Sequence, residues 1–160
     1  MAKDVSMFDA LPDTVGQVVV GEPFVLGEDD SALFHRATWL DKAYTTDVPE
    51  FPDTLVEGFW LLSMLDATAR FAMSDADETT WGLNYGLDKV RFVSPVHFGD
   101  RVIPTFETRE VIEKDGGYKV LRHCTFQVED ADRPAMTADW WTYALPRGEV
   151  EAGRRDTYNG

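Results

Sequence analysis

The chain has a single cysteine, Cys124, so no intrachain disulfide can form and a reducing compartment suits it. It has three histidines, widely separated and with no cysteine pair near them. That is no metal-ligand spacing, and no metal is expected. Cations are scarce, with 15 Lys and Arg against 29 Asp and Glu and a formal net charge of −14. A balance of this kind argues against nucleic acid, whose phosphates need a basic face. It also means that an anionic ligand must be held by a local basic patch against the overall field. No Gly-rich phosphate loop and no G-x-S-x-G occurs, and no cofactor is expected. The opening residues, MAKDVSMFDALPD, are acidic, contain proline and lack the apolar centre of a signal peptide, so a cytoplasmic location is expected.

Long apolar runs are also few, with one exception: Thr54–Met73, TLVEGFWLLSMLDATARFAM. Only Ser63, Asp66, Thr68 and Arg70 interrupt its apolar side chains after the first turn. A helix apolar nearly all round is buried on most sides. Its length is near that of a membrane span, about 20 residues. Asp66 and Arg70 would each cost roughly 2.5–3.5 kcal/mol in lipid, so a buried helix inside a globular fold is expected and no membrane. Asp66 and Arg70, in i, i+4 order, read as a surface or interface ion pair.

With 160 residues, 44% hydrophobic and 28% charged, the chain suits one domain with a full core. We divide it into an arm over 1–15, a domain over 16–146 and a polar tail over 147–160. Gly16–Leu26 reads as an edge strand, and Glu28–Ser31 leads into a short helix over Ala32–Trp39. Asp41–Asp53 reads as a long loop. Thr54 and Glu57 form a T-x-x-E capping box at the start of the central helix, which ends in an acidic turn from Ser74. Four strands follow, over Leu83–Val96, Arg101–Glu113, Tyr118–Glu129 and Ala135–Leu145, with a hairpin turn at Asp115-Gly116-Gly117. On the third, Tyr118, Val120, Cys124, Phe126 and Val128 share a face, and Arg122 is the exception on it. Trp140 and Trp141 are adjacent, so one faces the core and the other a pocket or interface. The order is α+β, an antiparallel meander after a helix that the sheet wraps.

This order and several motifs resemble the hotdog fold, and within it the MaoC-like group of R-hydratases and nodulation-protein-N-like proteins. Asn84–Phe92, then Ser94-Pro95-Val96 and Gly99-Asp100-Arg101-Val102, are similar to the family's "YG…RF..PV..GD.V" segment. Arg133-Pro134-Ala135 and Ala138 extend the likeness, and Leu55–Leu65 is similar to the family's helix start. The resemblance implies a homodimer with sites at the interface, acting on a small-molecule or acyl-thioester substrate carried by coenzyme A or a carrier protein. It implies a dehydratase or hydratase, a lyase, in a setting such as secondary metabolism. The chain departs from the family in its chemistry. The hydratases' Asp and His, in a D-x4-H segment, fall on His35 and Leu40, and the His before the helix glycine is Glu57.

The residues leave several readings open. His35 is either a half-buried helix histidine or a general acid/base suited to neutral pH. Asp41 is either a turn residue or its partner in an inverted dyad. Glu57 is either the capping residue or a base at the positive helix end. Gly58 lets a ligand carbonyl reach the helix N-terminus, where free N–H groups can polarise it. Trp39, Tyr85, Lys89 and Arg91 complete the candidate substrate-binding set, with Arg101 as a further local cation. His97 and His123 read as structural, and Cys124 as packing. Two rivals stand beside the lyase: thioesterase, isomerase or cyclase chemistry driven by Glu57, and a non-catalytic binding or partner subunit.

Overall fold

The computed structural model of the protein describes residues 6–43, 54–73 and 80–147. Its elements in chain order are α1 (Met7–Ala10), a 3-10 turn (Leu11–Thr14), β1 (Val18–Val20), β2 (Phe24–Val25), α2 (Glu28–Thr38), α3 (Leu40–Ala43), α4 (Gly58–Met73), β3 (Thr80–Phe92), β4 (Arg101–Lys114), β5 (Gly117–Val128) and β6 (Met136–Pro146). The sheet is antiparallel, in the order β1-β4-β5-β6-β3, and β2 also pairs with β4. The expected arm contains α1 and the 3-10 turn, and the expected first strand is split into two short pieces around Gly21-Glu22-Pro23. Most of the expected long loop, the acidic turn after α4 and nearly all of the polar tail lie outside the described residues.

Alternation along the strands decides which side meets α4. On β6, Met136, Ala138, Trp140, Thr142 and Ala144 are buried, while the residues between them are half-buried. Cys124 and Phe126 of β5 and Val102 and Phe106 of β4 join that buried face. Against it α4 sets Trp60, Leu61, Leu65 and Ala69. Eleven of its 16 residues face elsewhere or are only half covered, because one helix on a curved sheet cannot be enclosed on every side. Phe59 and Phe71 stand 76% and 81% exposed, so the helix keeps an apolar outer stripe. The adjacent tryptophans divide as alternation requires: Trp140 is buried on the inner face, and Trp141 lies on the outer one.

Lys114 pairs with Gly117, so Asp115-Gly116 is a two-residue hairpin loop. Both residues have positive φ, 45° and 76°, the backbone of a type I′ turn whose twist matches the strands. The meander holds for β4, β5 and β6 only. β3 pairs with β6 rather than with β4, so the segment between β3 and β4 must cross from one edge of the sheet to the other. In crossing it ties down the entry to α4. Val56 N–H donates to the Val96 carbonyl at 2.8 Å, and Phe98 N–H donates to the Thr54 carbonyl at 2.7 Å.

That tie overturns the capping box. Residues 54–56 are held extended by the crossing segment, so the helix cannot begin until Gly58. The Thr54 hydroxyl turns to His97 Nδ1 at 3.0 Å, and the Glu57 carboxylate turns to His35. Neither serves as a reciprocal cap.

Candidate functional site

The site is assembled by aromatic packing at the start of α4. Phe34 of α2 stacks on Trp60 of α4, with ring centroids 5.5 Å apart and planes within 14°. Phe98 from the crossing segment meets the same indole edge-on at 6.2 Å. Such pairs add about 0.5–1.5 kcal/mol beyond their buried area and fix the approach of the helices. Residue 35 follows Phe34 on α2, so docking Phe34 on Trp60 delivers His35 to the residue just before α4. His35 Nε2 and Glu57 Oε1 are in hydrogen-bond contact. The pair is half-buried, with side chains 34% and 21% exposed. The second carboxylate oxygen, Oε2 of Glu57, is buried and has no partner among the described residues.

The helix end adds donors. Leu61 N–H is bonded to the Glu57 carbonyl at 3.0 Å. The N–H groups of Gly58, Phe59 and Trp60 precede it and have no partner within the helix. At Gly58 the Phe92 ring closes over the backbone: a Cβ there would lie 3.0 Å from three of its carbons. Phe92 is half exposed and touches Phe59 edge-on. The dyad, the free N–H groups and this ring therefore meet at one end of α4. A histidine with a carboxylate partner can hold or move a proton, and the N–H groups can polarise a carbonyl oxygen beside it.

The other candidates are placed apart from this point. Asp41 lies in the first turn of α3, exposed, beyond Trp39; the partner of His35 is Glu57. Trp39 itself ends α2 in the left-handed region, φ 63°, with Lys42 4.8 Å from its ring centroid. Tyr85 lies near Tyr143, with Lys119 4.6 Å from its ring centroid. Lys89 pairs with Asp139 at 3.0 Å, and Asp139 also accepts from His123 Nδ1 at 2.7 Å. Burial by itself would raise the Asp139 pKa, but the hydrogen bonds from His123 and Lys89 outweigh it and hold the carboxyl below its usual range. Arg91, Arg109 and Thr137 complete this shallow basic depression on the outer face. Arg101 pairs instead with Glu129. His97 accepts or donates at Thr54, and Asp66 binds Arg70 at 2.9 Å.

Two features escape sequence reasoning. Arg109 lines the outer depression where the β4–β5 register shifts between Thr108 and Glu110, and nothing local to the sequence announces that bulge. Arg122 was visible only as a break in an apolar face, yet it points into a cavity under the sheet. Among the described residues no group of His, Cys, Asp and Glu is arranged to hold a metal ion, and no helix is long and apolar enough to cross a membrane.

No family model matches the chain. It is 42% identical over 93 residues to nodulation protein N of Rhizobium leguminosarum bv. viciae, a match covering 58% of each chain. It is 32% identical over 90 residues to 3-hydroxyacyl-thioester dehydratase Z of Mycobacterium tuberculosis, covering 56% of this chain and 59% of the relative. These matches thus span less than two thirds of either relative. Among solved structures, the MaoC-like dehydratase of Rhodospirillum rubrum superposes with a TM-score of 0.62 at 8% identity, over 83% of this chain and 93% of that one. A fluoroacetyl-CoA-specific thioesterase superposes with a TM-score of 0.60 at 14% identity, over 89% and 96%. The sequence likenesses support the MaoC-like branch of the hotdog fold. The structural likenesses show that the chain has the hotdog fold.

Proposed function

We propose that the protein is a dehydratase or hydratase of 3-hydroxyacyl or 2-enoyl thioesters, with His35 and Glu57 as its proton-transfer pair. The contact of His35 with a carboxylate at the start of α4 carries this reading. In the dehydration direction the thioester carbonyl sits at the Gly58 end of the helix, where the N–H groups stabilise charge developing on its oxygen. The His35–Glu57 pair takes the proton from C2 and delivers a proton to the C3 hydroxyl, which leaves as water. Hydration is the reverse, with the partly exposed Glu57 carboxylate and His35 accepting a proton from the incoming water. The relative named as a 3-hydroxyacyl-thioester dehydratase supports the substrate class. The basic depression around Lys89 and Arg91 supplies local cations for the phosphates of coenzyme A or a carrier arm, which the net charge of −14 otherwise repels.

The working unit in this reading is a homodimer. Among the described residues β3 is an edge strand of 13 residues paired to β6, and Leu83, Tyr85, Leu87 and Phe92 on it are exposed. A long edge with open backbone groups and apolar side chains is a surface that a second copy can cover.

The test is turnover of enoyl and 3-hydroxyacyl coenzyme A thioesters of graded chain length, read by the ultraviolet absorbance of the conjugated product. Glu57→Gln and His35→Gln should each lower turnover by roughly 10²–10⁴-fold. Full turnover in both variants would refute the assignment. A parallel thiol assay covers the rival reaction, since release of free coenzyme A would mean that the same carboxylate activates water for thioester hydrolysis.

A further inference from the structure

At the other end of α4 from His35 and Glu57, a second pocket opens between the helix and the inner face of the sheet. It has a volume of about 220 Å³, several times the ~30 Å³ that one water occupies in the liquid. Ala69 and Met73 of α4, Val120 of β5 and Trp140 of β6 give it apolar walls. Arg122 projects among them. It stands opposite Trp140 in the ladder, on the face that otherwise carries the core.

The guanidinium has five N–H donors and no way to lose its charge at neutral pH. Here it makes one side-chain hydrogen bond, from Nη1 to the Thr142 hydroxyl at 3.1 Å. Its Nε is closed off from solvent and has no partner among the described residues. Burial lowers the pKa of the group from its usual value, only partly offset by the neighbouring Cys124, and no carboxylate among the described residues pairs with it. The acid on the cavity wall, Asp66, is already held by Arg70. With Arg122, Arg70 and Asp66 all facing the cavity, one positive charge is left over. A half-buried cation whose Nε is shut off from water is costly without a counter-charge, unless something else supplies one.

A second donor faces the same space. Trp140 Nε1–H donates to Asn84 Oδ1 at 3.0 Å. Because an indole nitrogen only donates, the oxygen of Asn84 is fixed toward Trp140. Its NH₂ is thereby turned away, and it has no protein partner among the described residues. A planar cation and a primary amide at the end of an apolar chamber are the complement of a carboxylate on a hydrocarbon chain.

We propose that this cavity binds a carboxylate carried on a short apolar chain, with Arg122 taking the carboxylate and Asn84 adding a hydrogen bond. The carboxylate is either that of a free organic acid or the far end of a dicarboxylic acyl thioester. The second source rests on the proposed function and its dimer. The cavity lies at the Thr80–Asn84 end of β3, whereas Gly58 lies against Phe92 at the other end. Antiparallel pairing of two β3 edges would set the cavity of one protomer beside the His35–Glu57 end of its partner. An acyl group reacting at one site could then extend its tail into the other protomer's cavity.

The experiment has two arms, both on the full chain. In the first, calorimetric titration with hexanoate and with neutral hexanamide is run on the wild type, Arg122→Met and Asn84→Leu. Hexanoate should bind the wild type saturably and hexanamide at least tenfold more weakly, and each variant should lose most of that difference. Arg122→Met replaces a half-buried charge, unpaired among the described residues, by an apolar side chain, so it should melt no lower than the wild type. In the second arm, 3-hydroxyacyl thioesters with and without a terminal carboxylate are compared. A preference of tenfold or more in kcat/KM for the carboxylated substrate, lost in Arg122→Met, identifies the acyl tail as the source. Hexanoate binding without that preference identifies a free acid. Equal binding of hexanoate and hexanamide with no substrate preference overturns the proposal, as does hexanoate binding that Arg122→Met leaves unchanged. Absence of turnover on both thioesters with hexanoate binding intact would instead overturn only the proposed function.

Discussion

A double-mutant cycle on His35 and Glu57 tests the dyad without any knowledge of the substrate. Alanine at either position removes the contact without building a new one, which the cycle requires. Breaking a fully buried ion pair from one side costs about 3–5 kcal/mol, whereas an exposed pair is worth about 0.2–1 kcal/mol. His35 is 34% and Glu57 21% exposed. Their coupling should therefore lie between these limits, discounted for solvent, at about 1–2 kcal/mol. His35→Ala strands the carboxylate, whose Oε2 already lacks a partner among the described residues. Its midpoint should fall by roughly 2–4 °C for each kcal/mol lost, the scale for chains of this size. Glu57→Ala in the His35→Ala background should then cost little or even restore stability. Denaturant melts of the four proteins give the coupling directly. Additivity within about 0.3–0.5 kcal/mol would refute the pairing, and the capping role would have to be reconsidered.

Gly58→Ala should lower kcat/KM by about 10²-fold, since the added Cβ must displace the Phe92 ring and misplace the carbonyl; melting should move by only a few degrees, and unchanged kinetics would mean that no carbonyl approaches there. Light scattering should give twice the chain mass, and Leu87→Lys on the exposed edge should shift it toward monomer; a wild-type monomer at micromolar concentration would sink the dimer. Cys124 is buried, and burial pushes its thiol pKa up to about 12. It should resist alkylation at pH 8 until the protein is unfolded, and rapid labelling of the folded chain would contradict its placement. Asp139→Asn should destabilise by about 1 kcal/mol near neutral pH. The folded pKa is depressed, so this contribution is present above the unfolded value of about 3.9 and is lost as pH falls through the folded one. Melts of wild type and variant should converge in acid, and a constant gap would remove the ion pair from the explanation.

The central helix and the three-stranded meander were legible because each is written in a local period. The run from Leu55 had to bury one face, though Phe59 and Phe71 stay outside, and Tyr118–Glu129 alternates residue by residue. Pairing across distance was not legible. Nothing near Leu83–Phe92 says that its neighbour is β6, and that choice forces the crossing which holds Thr54–Val56 extended. The T-x-x-E signal was therefore correct as a local preference and was overridden by tertiary hydrogen bonds. The residues of the dyad were individually visible, but their meeting depends on Phe34 stacking against Trp60, a contact between elements that no spacing reveals. Arg122 announced itself as a misfit on its face, and its surroundings became readable only once Trp140 and Asn84 were placed around it.

The position of β3 at the far edge also bears on the order in which the chain folds. β4, β5 and β6 close through short connections and can form early, whereas β3 must wait for β6 to emerge from the folding mixture before it has any partner. Loop closure over that separation is an entropic cost met before the contacts reward it, which makes this the slow step of a sheet. Until it is complete, α4 lies against an incomplete wall. Even afterwards the outer edge of β3 offers unpaired backbone groups to any passing strand. The amides of β3 should thus be the first of the long strands to exchange with solvent, and the interval between chain folding and edge coverage is when the protein is most exposed to aggregation.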